Sequence, residues 1–424
     1  MKSLRICASR LWATIEETGL IGATPNGGLS RLSLSSEDRQ VRDWLVDQCR
    51  EAGCKVGVDE LGNVFAERAG RTADRAPIAF GSHLDTQPAG GRFDGVLGVL
   101  AGLEVIRTLN DNRVETQTPL CLVNWTNEEG CRFAPALLAS GVYSGEFGKD
   151  WALERTDVDN VTFGNALTAI GYRGSEPVGQ RKFEAFLELH IEQGPVLERN
   201  AQTIGVVESA QGLIWYDAEI VGVENHAGTT PMELRRDALA AFADICLRIE
   251  SIARNCPGAV GTVGYVRSVP GSRNTVPGRA LFSIEFRHPE TATIEEMDKA
   301  LLAAASEISH SRSIEVSIEE ITRKAPTRFD RRCVAAIEAA VQHLGYPYRR
   351  MSSGAAHDSC NVNTVAPTAM IFVPCRNGVS HSESEDATPE DCAAGANVLL
   401  QAVGMLDNSD VRPGQADNAI KVPG

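Results

Sequence analysis

Three absences in this sequence each remove a class of function. No apolar run approaches the ~18 residues that a membrane-spanning helix needs, so nothing in the chain points to a bilayer. Basic residues are outnumbered, 41 against 56 acidic, for a formal net charge of −15. That balance argues against nucleic acid or an anionic membrane as the main partner, because both demand clustered lysine and arginine. A small anionic substrate stays open, since one buried arginine can hold it. No two cysteines form a CxxC pair, and the eleven present are scattered. This fits a reducing compartment in which most of them are small core residues. The opening residues MKSLRICASRLWATIEETGLIG carry helical spacing rather than the apolar core and cleavage site of a signal peptide. The expected location is the cytoplasm. Repeats and low-complexity tracts are missing too.

What remains is 424 residues, 43% hydrophobic and 23% charged, enough for a large core and for two domains. Several short apolar runs end in polar clusters. APIAFGSHLDT runs into His83 and Asp85, PLCLVNWTNEEG into Glu128 and Glu129, and FEAFLELHIEQG carries His190. TAMIFVPCRNGVSHSESE has His381 just past its run. Between the first two, GVLGVLAGLEVIRTLND repeats apolar residues at three- and four-residue intervals, as a helix does. Strands alternating with helices predict an α/β fold: a mostly parallel sheet flanked by helices, with its site beyond the carboxyl ends of the strands.

The middle of the chain has another rhythm. A strand-like run at 213–222 precedes a helix at roughly 231–254. Strand-like runs near 259–268 and 279–288, a helix near 293–309 and a strand near 313–321 follow. The order β-α-β-β-α-β is that of the ferredoxin-like unit. The expected domains are therefore 1–212 and 326–424 for the catalytic part and 213–325 for an inserted α+β lid or dimerisation domain, hinged near 212 and 325. The tail after Leu406 is polar and expected to fray.

Only eight histidines exist, and His83, His190 and His381 sit at or after strand-like runs in polar, glycine-containing loops. Alone, each reads equally well as a hydrogen-bonded structural residue. As a set they have company. Asp85, two residues after His83, is suited to orient its imidazole from behind. Asp94 lies between glycines at the mouth of the helix, where a carboxylate can bridge two cations or simply cap the helix. Glu129 adds another oxygen. His83, Asp94, Glu129, His190 and His381 would form a dinuclear site, Asp94 bridging, with His83 and His190 on one ion and Glu129 and His381 on the other. Mixed imidazole and carboxylate donors suit two divalent ions such as zinc, manganese, cobalt or nickel better than magnesium or calcium. A water held between ions ~3.5–4 Å apart is acidified. Glu128, beside Glu129 but facing another way, then suits the general base. The alternative for EEG is a solvated acidic turn.

These motifs, GSHLDT…GGRFDGVLGVLAG, TNEEGCRF, LHIEQGPVLE, ENHAGTTPM, GSRNTVPG and SGAAHD…NGVSHSESE, resemble those of the hydantoinase/carbamoylase amidases, a branch of the dinuclear aminopeptidase- and carboxypeptidase-like metallohydrolases. The match runs from about residue 20 to 405. In the peptidase branch the position of His190 is usually Asp or Glu, so His190 favours the amidases acting on ureido groups. The resemblance implies hydrolysis of the carbamoyl group of N-carbamoyl-L-amino acids. Allantoate, ureidoglycolate and N-carbamoyl-β-alanine are rival substrates, and a dipeptidase, an aminoacylase or a non-catalytic homologue is more remote. It also implies a homodimer in which His226 serves the neighbouring subunit's site and stabilises the oxyanion. Asn274 and Arg287, with Gln193 close by, would grip the substrate carboxylate. Two residues fall outside this assignment. Cys131 takes a place expected of a small inert residue, and His288 should point away from Arg287 on the opposite strand face.

Overall fold

The apolar runs that end in chemistry are the core strands of one sheet. In the computed structural model, which describes residues 4–407, strands Leu120–Trp125, Ile78–His83, Ala185–Ile191 and Thr368–Val373 lie side by side in that order. Each pair is parallel, and every residue of the four is buried. That explains their nearly unbroken apolar sequence, because a central parallel strand is covered on both faces. Parallel strands also end at one edge of the sheet, so His83, His190 and the segment after Trp125 arrive together. Antiparallel strands finish the sheet: Val64–Arg68 against Leu120–Trp125, and Ile204–Ala210 against Thr368–Val373. The tail beyond Asp407 lies outside the described residues.

Helix Val96–Asp111 crosses from Ile78–His83 to Leu120–Trp125 and is buried over most of its length. This matches a sequence apolar nearly all the way round. Helix Ser36–Glu51 starts where the Ser35 hydroxyl accepts from Asp38 N–H, with Glu37 and Asp38 in its first turn. Its Asp38–Arg42 ion pair is fully buried, and Arg42 also donates to the Gly62 carbonyl.

The described residues divide into two units, 4–208 with 329–351 and 357–407, and 209–328 with 352–356. The second unit holds an antiparallel sheet whose order is Val266–Val269, Arg279–His288, Gly212–Val221 and Glu315–Lys324. Helices Ala238–Asn255 and Thr291–Arg312 bury Ile245, Ile249, Met297 and Leu301 against Ile214, Tyr216, Phe282 and Phe286. The first of these helices begins later than the periodicity predicts. Pro231 leads instead into a single turn, Met232–Leu234, and Asp237 caps the helix by accepting from Leu239 and Ala240 N–H. The expected strand at 259–268 is two short pieces, Val260–Thr262 and Val266–Val269, both paired with Arg279–His288.

Candidate metal centre

His83 ends its strand almost fully buried. Its Nδ1–H donates to the Asp85 carbonyl at 2.9 Å, which leaves a lone pair on Nε2, and Nε2 has no hydrogen-bond partner among the described residues. His190, on the adjacent strand, donates from Nδ1 to the Ile191 carbonyl at 2.8 Å. Its Nε2 lies 3.1 Å from Gly95 N and 3.0 Å from Asp94 Oδ1. Asp94 Oδ1 is also 3.7 Å from His83 Nε2, while Oδ2 faces His381 Nε2 at 3.3 Å. Glu129 Oε2 approaches His381 Nε2 to 3.6 Å. Two donor groups result, His83–Asp94–His190 and Asp94–Glu129–His381, each with its atoms within 4.8 Å of one another. They share Asp94.

Asp94 does not cap its helix. The capping position is Gly95, with no side-chain bond. Gly95 has φ of +67°, and a Cβ there would stand 2.3 Å from the His83 ring. Only glycine lets this backbone turn so close to the imidazole.

The two neighbouring glutamates diverge. Asn127 has φ of +60°, a left-handed turn immediately before them that a non-glycine residue adopts at a cost of about 1–3 kcal/mol. Glu128 Oε2 comes within 3.5 Å of His83 Nε2, whereas Glu129 turns to His381. Asp85 corrects one expectation. The hydrogen bond from His83 goes to its carbonyl, while the carboxylate stands 3.9 Å from Nδ1. The carboxylate accepts instead from Glu128 N–H at 3.3 Å and Glu129 N–H at 3.2 Å, so it fixes the glutamate turn.

Gln193, expected near a substrate carboxylate, donates to Asp94 Oδ2 at 2.8 Å and lies 3.3 Å from His381 Nε2. Four neighbours escaped the sequence reading. Glu188 accepts from the Ser82 hydroxyl at 2.6 Å and from Ser359 N–H at 3.1 Å, and with His190 and His357 it makes a third donor group. The His357 ring meets His190 edge-on at 4.6 Å, and Asp358 follows it, buried. Glu385 accepts from Phe93 N–H at 3.0 Å, Asp94 N–H at 3.1 Å and the Ser380 hydroxyl at 2.9 Å. It therefore ties the Asp94 loop to the His381 loop. A visible signal existed for Glu188, which shares a strand face with His190 two residues on.

Burial governs the electrostatics. It pushes the Glu128 carboxyl well above the usual range, reinforced by the charges of Asp358, Glu129, Asp94 and Asp85. Burial and then Asp94 raise Glu129 to about 8, and burial and then Asp38 raise Asp85 to about 7. Burial lowers His83 to about 4. It also works against charge on His190, but the bond to Asp94 and the charges of Asp94 and Glu188 outweigh it and hold that ring up at about 9. Buried carboxyls thus outnumber their counter-charges, and a buried imidazole lone pair lacks a donor. Divalent cations fit both deficits.

A pH dependence follows for the metal-free protein. Glu129 and Asp85 keep protons in the folded state to about 8 and about 7, which the unfolded chain has released by about pH 5. His190 stays charged to about 9, against 6.5 when unfolded. The folded state binds more protons in each case, so stability falls as pH rises from about 6.5 to about 9. The opposite contribution of His83 is complete by its ordinary value of 6.5. Thermal unfolding across this window is expected to give a falling Tm without metal and a flatter profile with manganese or zinc.

In the second unit, His226 and Asn274 are brought together. His226 is exposed, pairs in register with Thr275, and its neighbour Ala227 donates to the Asn274 carbonyl at 2.8 Å. Arg287 bonds to Glu285 on its own strand face and donates to the Gly354 carbonyl at 2.9 Å. His288 points to the other, buried face, where its Nε2 meets the Pro257 carbonyl at 3.1 Å.

Residues 79–404 match the model of peptidase family M20/M25/M40. The N-carbamoyl-L-amino-acid amidohydrolase of Rhizobium meliloti is 45% identical over 400 residues, 94% of this chain and 96% of that protein. A crystal structure of an amidase of the hydantoinase/carbamoylase family from Burkholderia multivorans superposes with a TM-score of 0.94 at 50% identity, covering 96% of this chain and 100% of that one. A ureidoglycolate hydrolase of Oryza sativa subsp. japonica is more distant, 33% identical over 92% of this chain and 83% of that protein.

Proposed function

The chain belongs to the M20/M25/M40 peptidase family and, within it, to the hydantoinase/carbamoylase amidases, and from that premise we propose that it hydrolyses N-carbamoyl-L-amino acids. One water and one substrate give the free amino acid, ammonia and carbon dioxide. The observation that carries this reading is the pair of donor groups sharing Asp94, with the Glu128 carboxyl 3.5 Å from His83 Nε2.

In this reading His83, Asp94 and His190 hold one divalent cation and Asp94, Glu129 and His381 a second. Zinc, manganese, cobalt and nickel suit the mixed donors. Bound there, the cations supply Lewis acidity that lowers the pKa of water and polarises the ureido carbonyl. Glu128 takes the proton of the attacking water on its carboxylate and returns it to the nitrogen of the departing amino acid. Asp85 keeps the Glu128 and Glu129 backbone still, and Glu385 keeps Asp94 facing both donor groups. Breaking the bond between the ureido carbon and that nitrogen leaves carbamate, which decomposes to ammonia and carbon dioxide.

Arg287, Asn274 and Gln193 would fix the substrate carboxylate. An arginine fork matches a carboxylate with two charge-assisted hydrogen bonds, and here the substrate takes over the face that Glu285 occupies. Arg287→Lys is therefore expected to raise KM ~10-fold or more with kcat changed less, because charge remains and the bidentate orientation, worth more than ~1 kcal/mol, is lost. An unchanged KM would assign the carboxylate to another group. His226 would serve the site of a second copy as an oxyanion donor. Met232, Leu234, Leu247 and Ile321 of the second unit are exposed, which supports a homodimer that covers apolar surface. Free cysteines throughout the described chain support a reducing, cytoplasmic setting.

Ammonia release by the manganese- or zinc-loaded protein tests the reading, over N-carbamoyl-L-amino acids, their D forms, N-carbamoyl-β-alanine, allantoate and ureidoglycolate. Fast release from an N-carbamoyl-L-amino acid is the expected result. Preference for allantoate or ureidoglycolate would overturn the substrate but keep the chemistry. Silence on all of them with metal bound would overturn both.

A further inference from the structure

Cys131 is the residue that the chemistry above leaves without a part. It is exposed, two positions past Glu129, and its Sγ lies 3.0 Å from the amide oxygen of Gln87. The other end of the same amide, Nε2–H, donates to Glu129 Oε2. The two ends require opposite polarity. In the ionised form that binds a cation a carboxylate can only accept, and the amide oxygen has no hydrogen to give, so the thiol is the donor to it. Turning the amide over would set oxygen against the carboxylate and leave the thiol facing an NH2 group. Glu129 thus sets the orientation of the amide, and the thiol reinforces it by donating to the amide oxygen.

The backbone explains why the three meet. Gln87 lies just beyond the strand that ends at His83, and its carbonyl accepts from the Thr86 hydroxyl at 2.9 Å. Gly130, with φ of +68° and space for no Cβ beside Ala136 N, turns the chain after Glu129 so that Cys131 comes back toward Gln87. Asp85 already fixes the main chain of Glu129, but several side-chain torsions of a glutamate stay free. Gln87 is the group that holds the carboxylate itself.

We propose that Gln87, its amide oxygen held by the Cys131 thiol, is a positioning residue that presets the Glu129 carboxylate for its cation. This rests on the reading of Glu129 as a ligand. Partners that hydrogen-bond to a ligating carboxylate keep it from having to be ordered when the ion arrives, and their loss weakens metal affinity by ~10–100-fold. The thiol acts one bond further out, so its loss should weaken affinity by less.

The test is competition of the full-length protein for manganese against a chromophoric chelator, with wild type, Gln87→Leu, Cys131→Ala and Cys131→Ser side by side. Circular dichroism and Tm show that each variant is folded. Gln87→Leu is expected to weaken one of the bound ions by ~10–100-fold. Cys131→Ala should show a smaller loss, and Cys131→Ser should recover it, because a hydroxyl donates where a methyl cannot. A folded Gln87→Leu protein with wild-type affinity would overturn the role of Gln87. A serine variant no better than the alanine variant would overturn that of the thiol. Wild type that takes up no cation would overturn the metal reading itself, and the wild-type titration separates that failure from the other two.

Discussion

Replacing Glu128 with glutamine is expected to lower kcat by ~10²–10⁴-fold, the range that a positioned proton-transfer group contributes, while metal content stays at the wild-type value. Glutamine keeps the shape of the side chain and its place beside His83, but it cannot accept a proton from water or hand one on. The main chain should hold, because Asp85 grips the N–H groups of residues 128 and 129 rather than any side-chain atom of Glu128. Glu128 is also among the most crowded carboxyls of the chain, surrounded by Asp358, Glu129, Asp94 and Asp85. Glutamine removes the cost of neutralising or burying that carboxyl on folding, so the metal-free variant should melt no lower than wild type near pH 8. Ammonia release, metal analysis and thermal unfolding together make the check. A variant within a few-fold of wild-type kcat would take Glu128 out of the proton path.

Asp94→Ala is expected to abolish turnover by a different route. Asp94 is the donor common to both groups, Oδ1 facing His83 and His190 and Oδ2 facing His381. Its loss should empty both positions, since a site left with two imidazoles or with one imidazole and one carboxylate holds a divalent ion weakly. His381→Ala touches only the second group and should cost one equivalent of metal while sparing the other. The comparison is made by metal analysis after dialysis, with Asp94→Asn as a control that keeps the shape and the contacts to Ser380 and Gln193. If Asp94→Ala still carried the wild-type complement and turned over substrate, Asp94 would not be the bridge.

The parallel core strands were legible because burial on both faces writes itself as an unbroken apolar run, and polar residues at such a run's end stand out. The candidate donors His83, Glu129, His190 and His381, with Glu128, were marked that way, and Asp94 by the glycines around it at the mouth of a helix. The second unit was legible as an order of elements but not in its boundaries. The helix expected from about 231 starts at Ala238 because Asp237 caps it, a local choice that apolar spacing does not record. The strand expected over 259–268 broke in two around Val263–Tyr265, where Gly264 interrupts the β-forming residues.

What the sequence determined by itself, then, is everything that depends on near neighbours: strands and helices from periodicity, the class of fold from their alternation, and a set of imidazoles and carboxylates waiting at strand ends. Tertiary structure alone decided which groups support them. Ser82 meets Glu188 across 106 positions of sequence and Asp94 N–H meets Glu385 across 291. Asp85 turned out to orient His83 through its carbonyl and the glutamate turn through its carboxylate. The reason is physical: a buried polar group must find a partner wherever the folded chain brings one, and that search runs through space rather than along the sequence.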